Sequence, residues 1–314
     1  MLPIFASFFL IGSSIAANKA LLFTLPPILF VGIRMTIAGL VVVAMKSRTY
    51  IRRGLHRIWQ DAGILAITSG TNLVMSLSKA YAYKNSFSSK IAFLCSIDPF
   101  VTAFYAYILF GDRLSWKQLI GVCIGFLGTS VLIFQSSPLE STLKAFSIFS
   151  WPELAAIFSV FVGRYGWIKV QQLLRTERYQ PLEINGINMT LTGVACLFAA
   201  WGFHETVGLN FTVTSSTFGL LGYSIIAGNI IGFGIFAYVL KHYNITFVSL
   251  AGFTVPIIVS ILGFIFFDEP MSLGLGIAAA TIFAGLFLFY YDELRGIKHS
   301  GTKVKLQQPR PKSW

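Results

Sequence analysis

Charged residues are scarce in this sequence, since Asp, Glu, Lys and Arg make up 11% of its 314 residues. Soluble domains carry about 25% of these residues, so the composition excludes a water-soluble globule. Apolar residues take their place, at 55% of the chain with a mean hydropathy of +0.72. The composition predicts an integral membrane protein whose main partner is the lipid bilayer.

Cysteine and histidine are also rare, with three Cys and four His in the chain. The cysteines form no CxxC pair and the histidines lie at span ends, in loops or in the tail, so we expect no metal site, no cofactor and no disulfide framework. The sequence contains neither HExxH nor GxSxG, and we expect no catalytic residues. These absences disfavour an intramembrane enzyme, the main alternative class.

Apolar runs long enough to cross a bilayer recur along the chain. A transmembrane helix needs roughly 20 residues. Ten such runs are present, at about 2–22, 26–45, 62–82, 90–110, 116–135, 151–170, 184–203, 214–239, 246–267 and 271–290. The sequence therefore predicts an all-α fold with ten transmembrane helices.

Basic residues outnumber acidic residues by 24 to 12. They lie in short loops and a tail rather than on a folded face, which argues against a nucleic-acid partner. With the N-terminus in the cytoplasm, 17 of them fall on the cytoplasmic side and only Lys84 and Lys144 on the opposite side. Because cytoplasmic loops retain Lys and Arg, we expect both termini to be cytoplasmic and the basic tail at 291–314 to be disordered.

The two halves of the sequence resemble each other. With a shift of 157 residues, Ala80-Tyr81 aligns with Ala237-Tyr238, Lys84 with Lys241, Pro99 with Pro256 and Asp112 with Glu269. With a shift of 154 residues, IRMTIAG at 33–39 aligns with INMTLTG at 187–193. We predict a first repeat at 1–135, a connecting loop at 136–150 and a second repeat at 151–290.

Each predicted repeat contains five spans, an odd number, so the second repeat enters the membrane in the opposite sense to the first. Inverted repeats of this kind are typical of transporters with a midplane substrate site and alternating access. Two GxxxG motifs, Gly121 to Gly125 and Gly228 to Gly232, are expected to pack helices within one chain. The protein is predicted to be a monomer or homodimer.

Several charged side chains lie inside the predicted spans, where each costs about 2.5–3.5 kcal/mol. The basic candidates for substrate binding are Lys19, Arg34, Lys79 and Arg164. Asp98, which precedes Pro99, is expected either to form an ion pair with Arg34 or to carry a coupling proton. Lys90 and Glu153 lie within about two turns of a span end and are expected either to have a structural role or to reach the interface.

The intramembrane charges are five cations and two anions, which favours a cargo with a carboxylate or phosphate. Aromatic residues are 15% of the chain, and ring faces suit a flat ring or a sulfonium cation. Lipid contact is the ordinary alternative role for such rings. The aromatic candidates for a cargo site are Tyr81, Tyr83, Trp167, Tyr223 and Tyr238.

The segment Asn85–Leu132, NSFSSKIAFLCSIDPFVTAFYAYILFGDRLSWKQLIGVCIGFLGTSVL, resembles the fourth and fifth helices of EamA-type members of the drug/metabolite transporter superfamily. Tyr238–Phe289 is similar to the corresponding stretch of that family's second half. The resemblance implies a secondary transporter of a small metabolite, in a bacterial inner membrane, rather than an enzyme or channel.

Transporters that resemble this chain include exchangers of S-adenosylmethionine for S-adenosylhomocysteine. An amino-acid-like or adenosylated cargo of this kind would use both a carboxylate-binding cation and ring-stacking faces. A proton-coupled exporter of amino acids or other metabolites is the alternative.

Overall fold

The structure, a computed structural model, describes residues 2–46, 59–110, 115–133, 150–203, 215–242, 252, 254–271 and 273–299. These residues are almost entirely helical, and no strand occurs among them. The helices are α1 Leu2–Thr24, α2 Pro27–Met45, α3 Ala62–Asn85, α4 Ser88–Leu94, α5 Asp98–Phe110, α6 Trp116–Ile133, α7 Trp151–Arg175, α8 Pro181–Gly202, α9 Ser215–Tyr223, α10 Phe233–His242, α11 Thr254–Phe267 and α12 Leu273–His299. The all-α prediction is confirmed for this part of the chain.

Proline and short polar side chains begin several of these helices. Pro27 and Pro181 occupy the first turns of α2 and α8, where the missing N–H costs no hydrogen bond. At the start of α7, Ser150 and Glu153 form a capping box in which the carboxylate accepts the Ser150 N–H at 3.2 Å. These local signals fix where each chain segment enters the bundle.

Five helical stretches are long and apolar enough to cross a membrane: Pro3–Thr24, Pro27–Met45, Ser88–Leu109, Pro181–Gly202 and Ser215–Val239. Thr254–Phe267 and Leu273–Gly285 are shorter apolar helices. At 24 and 25 residues, α3 and α7 are also long, but they are more polar because they carry much of the polar lining of an internal cavity. The described helices therefore include five clear spans of the ten predicted.

Two helical stretches change their winding partway. Between α4 and α5 the chain forms a 3₁₀ segment at Cys95–Ile97, directly before Asp98 and Pro99. Proline removes the hydrogen bond to the carbonyl four residues earlier, here that of Cys95, so this break follows from the sequence. A wider π-helical segment at Ser224–Gly232 joins α9 to α10.

The helices pack in definite pairs. α2 crosses α8, α6 crosses α12, α3 lies along α7, and α1 packs on the π segment and on α11. At the crossing of α6 and α12, a methyl group added to Gly285 would overlap the backbone of Gly121 and Gly125. Gly228 likewise abuts Ser14 of α1. The GxxxG motifs thus pack helices within one chain, which confirms that prediction.

The last helix extends further than predicted. α12 continues to His299, so residues 291–299 are helical and the prediction of a disordered tail is wrong for them. Apolar residues sustain the helix as far as Tyr291, and the helix then runs on into a polar stretch. The rest of the predicted tail, 300–314, and the predicted loop at 136–149 lie outside the described residues.

Candidate substrate cavity

An internal cavity of about 240 Å³ lies among the helices of both halves of the chain. Its walls come from α1, α2, α3, the break between α4 and α5, α7, α8, α10 and the start of α11. The charged lining residues are Arg34, Lys79, Asp98 and Arg164. The aromatic lining residues are Phe8, Phe30, Tyr83, Trp167, Phe233 and Phe236.

Arg34 is buried in the middle of α2. Its Nη1 donates to Asn229 Oδ1 at 3.2 Å, and its guanidinium lies 5.2 Å from the centre of the Phe30 ring. Its Nε is buried and has no hydrogen-bond partner within the described ranges. A buried donor without an acceptor is costly, so Arg34 carries one unused donor beside the cavity that its side chain lines.

Asp98 is paired with Arg164 rather than with Arg34. Arg164 Nε donates to Asp98 Oδ1 at 3.3 Å and Nη2 donates to Oδ2, so each carboxylate oxygen accepts one bond. The predicted ion pair between Asp98 and Arg34 is therefore wrong. The reason is geometric: α5 begins against α7, whereas Arg34 faces Asn229 in the π segment.

Lys79 lines the same cavity from α3. Cys95, Ser96 and Asp98, from the break between α4 and α5, line the same cavity as Lys79. Within the described part of the chain Lys79 has neither a salt bridge nor a hydrogen-bond acceptor. Three lining cations thus face a single lining carboxylate, and that carboxylate is already paired.

Four aromatic side chains form one wall of the cavity. Trp167 stacks on Phe233 with ring centres 6.1 Å apart and planes at 12°, and it meets Phe236 edge-on at 4.9 Å. Phe8 packs edge-on against Phe236 at 5.7 Å. Such a wall presents ring faces and edges to a planar ligand.

The remaining tyrosine candidates have different positions. Tyr83 lines the cavity, but Tyr81, Tyr223 and Tyr238 do not, and each of these three is at least 40% exposed on the outside of the bundle. Tyr223 bonds Ser13 there at 2.7 Å. Residues two apart on a helix point to different sides, so Tyr81 and Tyr83 cannot both face the cavity.

Lys19 lies outside the cavity lining, in a buried polar cluster at one end of the bundle. Its Nζ is 2.5 Å from Glu269 Oε1 and 2.9 Å from the Ser86 carbonyl oxygen. The Glu269 carboxylate also accepts bonds of 2.6–3.0 Å from the N–H and hydroxyl groups of Ser88 and Ser89. Lys19 therefore ties α1 to the start of α4 and to the turn after α11, and the structure does not bring it to the candidate cargo site.

Lys90 and Glu153 form a second buried ion pair, with both side chains almost fully covered. This agrees with the structural role that was one of the two alternatives, and not with a position at the membrane interface. Both are near helix ends, but α4 packs against α7 at that level, so the bundle covers them.

Sequence reasoning missed a set of neutral polar residues between α3 and α8. Asn188 accepts bonds from Thr68 at 2.9 Å and from Ser69 at 3.0 Å. Asn72 donates to Thr192 Oγ1 at 3.1 Å. The internal repeat could have identified Asn188, because it aligns with the site candidate Arg34.

Metal ligands are not clustered in the part of the chain that the structure describes, where no group of three His, Cys, Asp or Glu could hold an ion. The site is instead a cavity with charged and aromatic walls inside a bundle of apolar helices. Fold and site together define a multi-pass membrane protein with an internal cavity that is a candidate binding site for a small molecule.

Comparison with protein families identifies the group. The model of the EamA-like transporter family matches residues 1–134 and 150–291. The chain belongs to this family, within the drug/metabolite transporter superfamily, and this membership indicates a transporter rather than an enzyme.

Several curated relatives match nearly the whole chain. The S-adenosylmethionine/S-adenosylhomocysteine transporter of Chlamydia muridarum is 25% identical over 298 residues, covering 93% of this chain and 92% of the relative. The transporter of the same name in Chlamydia trachomatis is 26% identical over 302 residues, covering 93% and 89%. A WAT1-related chloroplastic protein of Arabidopsis thaliana is 23% identical, covering 91% and 68%.

A solved crystal structure has the same fold. It superposes with a TM-score of 0.66 at 17% identity and covers 93% of this chain and 96% of its own.

Proposed function

We propose that this protein is a secondary transporter that exchanges an adenosylated amino acid, S-adenosylmethionine, for S-adenosylhomocysteine. The cargo binds in the cavity of Arg34, Lys79, Asp98 and Arg164 and crosses the membrane by alternating access. The observation that carries this proposal is that cations with unused hydrogen-bond donors and an aromatic wall line one cavity.

The cavity chemistry fits the two ends of such a cargo. Arg34 Nε and the Lys79 ammonium are donors without acceptors among the described residues, and a carboxylate or ring nitrogen would satisfy them. Trp167, Phe233 and Phe236 supply ring faces for adenine. The names of the chlamydial relatives, which cover 93% of the chain, support the same cargo class.

The cavity volume of about 240 Å³ is below the roughly 300–1,000 Å³ of sites that enclose a drug-sized ligand. An adenosylated amino acid therefore needs the cavity to widen. Widening by movement of one half against the other is the motion that alternating access requires.

An inverted repeat of ten spans provides the two moving halves. At the crossing of α2 and α8, a methyl group on Gly39 would overlap Thr190, and a methyl group on Gly193 would overlap Thr36. These are the same contact with the partners exchanged, because 36 and 39 align with 190 and 193. Reciprocal contacts of this kind are what a two-fold axis produces, which supports two repeats at 1–135 and 151–290.

The other helix pairs follow the same rule. In the repeat, α3 is the counterpart of residues 215–242 (α9, the π segment and α10), and α1 is the counterpart of α7. The contact of α3 with α7 therefore corresponds to the contact of 215–242 with α1. α6 and α12 are counterparts of each other, so their contact maps onto itself. From the distribution of basic residues, we infer that both termini are cytoplasmic. The length of the chain and its family favour a bacterial inner membrane, with the protein as a monomer or homodimer.

Counterflow in proteoliposomes tests the cargo. Purified protein is reconstituted in vesicles loaded with unlabelled S-adenosylhomocysteine, and uptake of labelled S-adenosylmethionine is followed with and without a protonophore. Because S-adenosylmethionine carries one more positive charge than S-adenosylhomocysteine, exchange moves charge inward, and we expect uptake that requires the loaded compound and is not reduced by the protonophore. Empty vesicles and vesicles loaded with sugars or nucleotides are the controls.

Two results would overturn the proposal. Equal uptake in loaded and empty vesicles would exclude exchange. Uptake that the protonophore and the Asp98→Asn substitution both abolish would instead favour the proton-coupled exporter of amino acids or other metabolites.

A further inference from the structure

The ion pair of Asp98 and Arg164 is unevenly covered. The Arg164 side chain is 6% exposed, whereas the Asp98 side chain is 39% exposed and lines the cavity. Arg164 is held on α7 next to Gly163, which packs closely on Met75 of α3. The guanidinium is thus fixed in the wall, and the carboxylate that it holds faces the cavity.

Asp98 has acceptor capacity left over. A carboxylate has about four lone-pair sites, and Arg164 uses one on each oxygen. The neighbouring Thr102 hydroxyl bonds the Asp98 backbone carbonyl at 2.8 Å and not the side chain. The exposed edge of Asp98 can therefore accept bonds from a bound ammonium group without breaking the pair with Arg164.

Lys79 supplies the opposite charge at the same place. Lys79 on α3 and Asp98, directly after the 3₁₀ break, line the same cavity together with Cys95 of that break. Among the described residues, the Lys79 ammonium forms no salt bridge with a carboxylate. The one described carboxylate that lines the cavity, that of Asp98, is paired with Arg164. A cation without a carboxylate partner and a partly exposed carboxylate in one cavity match the two charges of an α-amino acid.

We infer that Lys79 and Asp98 form the binding site for the zwitterionic head group of the cargo, with the carboxylate on Lys79 and the ammonium on Asp98. Arg164 is a positioning residue that holds Asp98 toward the cavity. This inference rests on the proposed function for the location of the cargo, and adds that the cargo must carry both a free amine and a free carboxylate.

Binding of head-group analogues tests the inference. Equilibrium binding to the purified protein is measured for S-adenosylhomocysteine, its N-acetyl derivative and its methyl ester. For the wild type, we expect blocking either group to weaken binding by about tenfold or more, as for the loss of a charge-assisted hydrogen bond.

Substitutions of Lys79 and Asp98 test separately which residue binds the carboxylate and which binds the ammonium group of the cargo. Lys79→Ala is expected to remove the preference for the acid over the ester and to keep the preference for the free amine. Asp98→Asn is expected to remove the preference for the free amine over the N-acetyl derivative and to keep the preference for the acid over the ester. Asp98→Glu is expected to retain part of the preference for the free amine. Lys84→Ala, at an exposed position on the same helix, is the matched control and is expected to change neither preference.

Failure of the inference differs from failure of the proposed cargo. If the N-acetyl derivative or the ester binds the wild type as well as the parent compound, the head-group site is overturned and the cargo stands. If no adenosyl compound binds but free amino acids bind with the same dependence on Lys79 and Asp98, the site stands and the cargo is wrong. If no compound with an α-amino-acid group binds, the inference is overturned.

Discussion

The buried pair of Lys19 and Glu269 is the clearest place to test how this bundle is held together. It joins α1, the start of α4 and the turn after α11. The Lys19→Met substitution keeps most of the apolar stem of the side chain and removes its ammonium group, with the bonds to Glu269 and to the Ser86 carbonyl. Glu269 then stays in place as a carboxylate without its cation.

The expected loss follows from the burial of the pair. The side chains of Lys19 and Glu269 are 6% and 3% exposed, and their charged atoms are 2.5 Å apart. Removing one partner of such a pair costs about 3–5 kcal/mol. Bonds from the N–H and hydroxyl groups of Ser88 and Ser89 still satisfy the carboxylate, so we expect the lower end, about 3 kcal/mol.

Denaturant unfolding in detergent micelles measures this free energy. Lys84→Met removes an exposed lysine and is expected to change the unfolding free energy by less than about 0.5 kcal/mol. The double variant Lys19→Met with Glu269→Gln is expected to lose less unfolding free energy than the two single variants lose in total, because it buries no unpaired charge. A Lys19→Met protein within about 1 kcal/mol of the wild type would show a solvated pair and refute the reasoning.

Three further predictions concern other parts of the molecule. Gly39→Ala is expected to lower the unfolding free energy by about 1–3 kcal/mol through overlap with α8, whereas Gly70→Ala, which meets open space, should not lower it. Trp167→Ala is expected to weaken binding of S-adenosylhomocysteine by about 1–3 kcal/mol, the value for stacking of one base on an aromatic side chain. Trp201, which is 72% exposed, is the control, and Trp201→Ala should leave the affinity measured by titration unchanged. Burial, with a hydrogen bond to Asp61, raises the pKa of Tyr179 from 10.0 to about 12. Because the raised value favours the neutral phenol in the folded protein, the unfolding free energy should hold up to about pH 10 and fall between about pH 10 and 12, and it should fall less in Tyr179→Phe. These expectations would be contradicted if the unfolding free energy fell equally with pH in the wild type and Tyr179→Phe. They would also be contradicted if Gly39→Ala and Gly70→Ala lost equal stability, or if Trp167→Ala and Trp201→Ala weakened binding equally.

The cost of a charge inside the membrane was enough to find much of the candidate site from the sequence. Arg34, Lys79, Asp98 and Arg164 were all singled out by that rule, and all four line the cavity. Their partners were not predictable, because pairing depends on how each helix is rotated about its axis. The sequence does not specify that rotation for helices with little apolar periodicity.

Tyr81 and Glu269 illustrate the two kinds of miss. Tyr81 and Tyr83 have the same chemistry, and only the orientation of α3 decides that Tyr83 faces inward. Glu269 follows a predicted span, where an acidic residue is normally solvated, yet the ends of α1 and α4 cover it. Neutral polar residues such as Asn188 were missed because an amide is less costly in a membrane than a charge.

Alkylation of native Cys95 is the most direct test that this cavity holds the cargo. Cys95 lines the cavity, whereas Cys123 is exposed on α6 outside the lining and serves as an internal control. The rates of modification of both thiols by N-ethylmaleimide are measured by mass spectrometry with and without saturating S-adenosylhomocysteine. We predict slower modification of Cys95 alone. An unchanged rate at Cys95 under saturating ligand would contradict the assignment of the cavity as the cargo site.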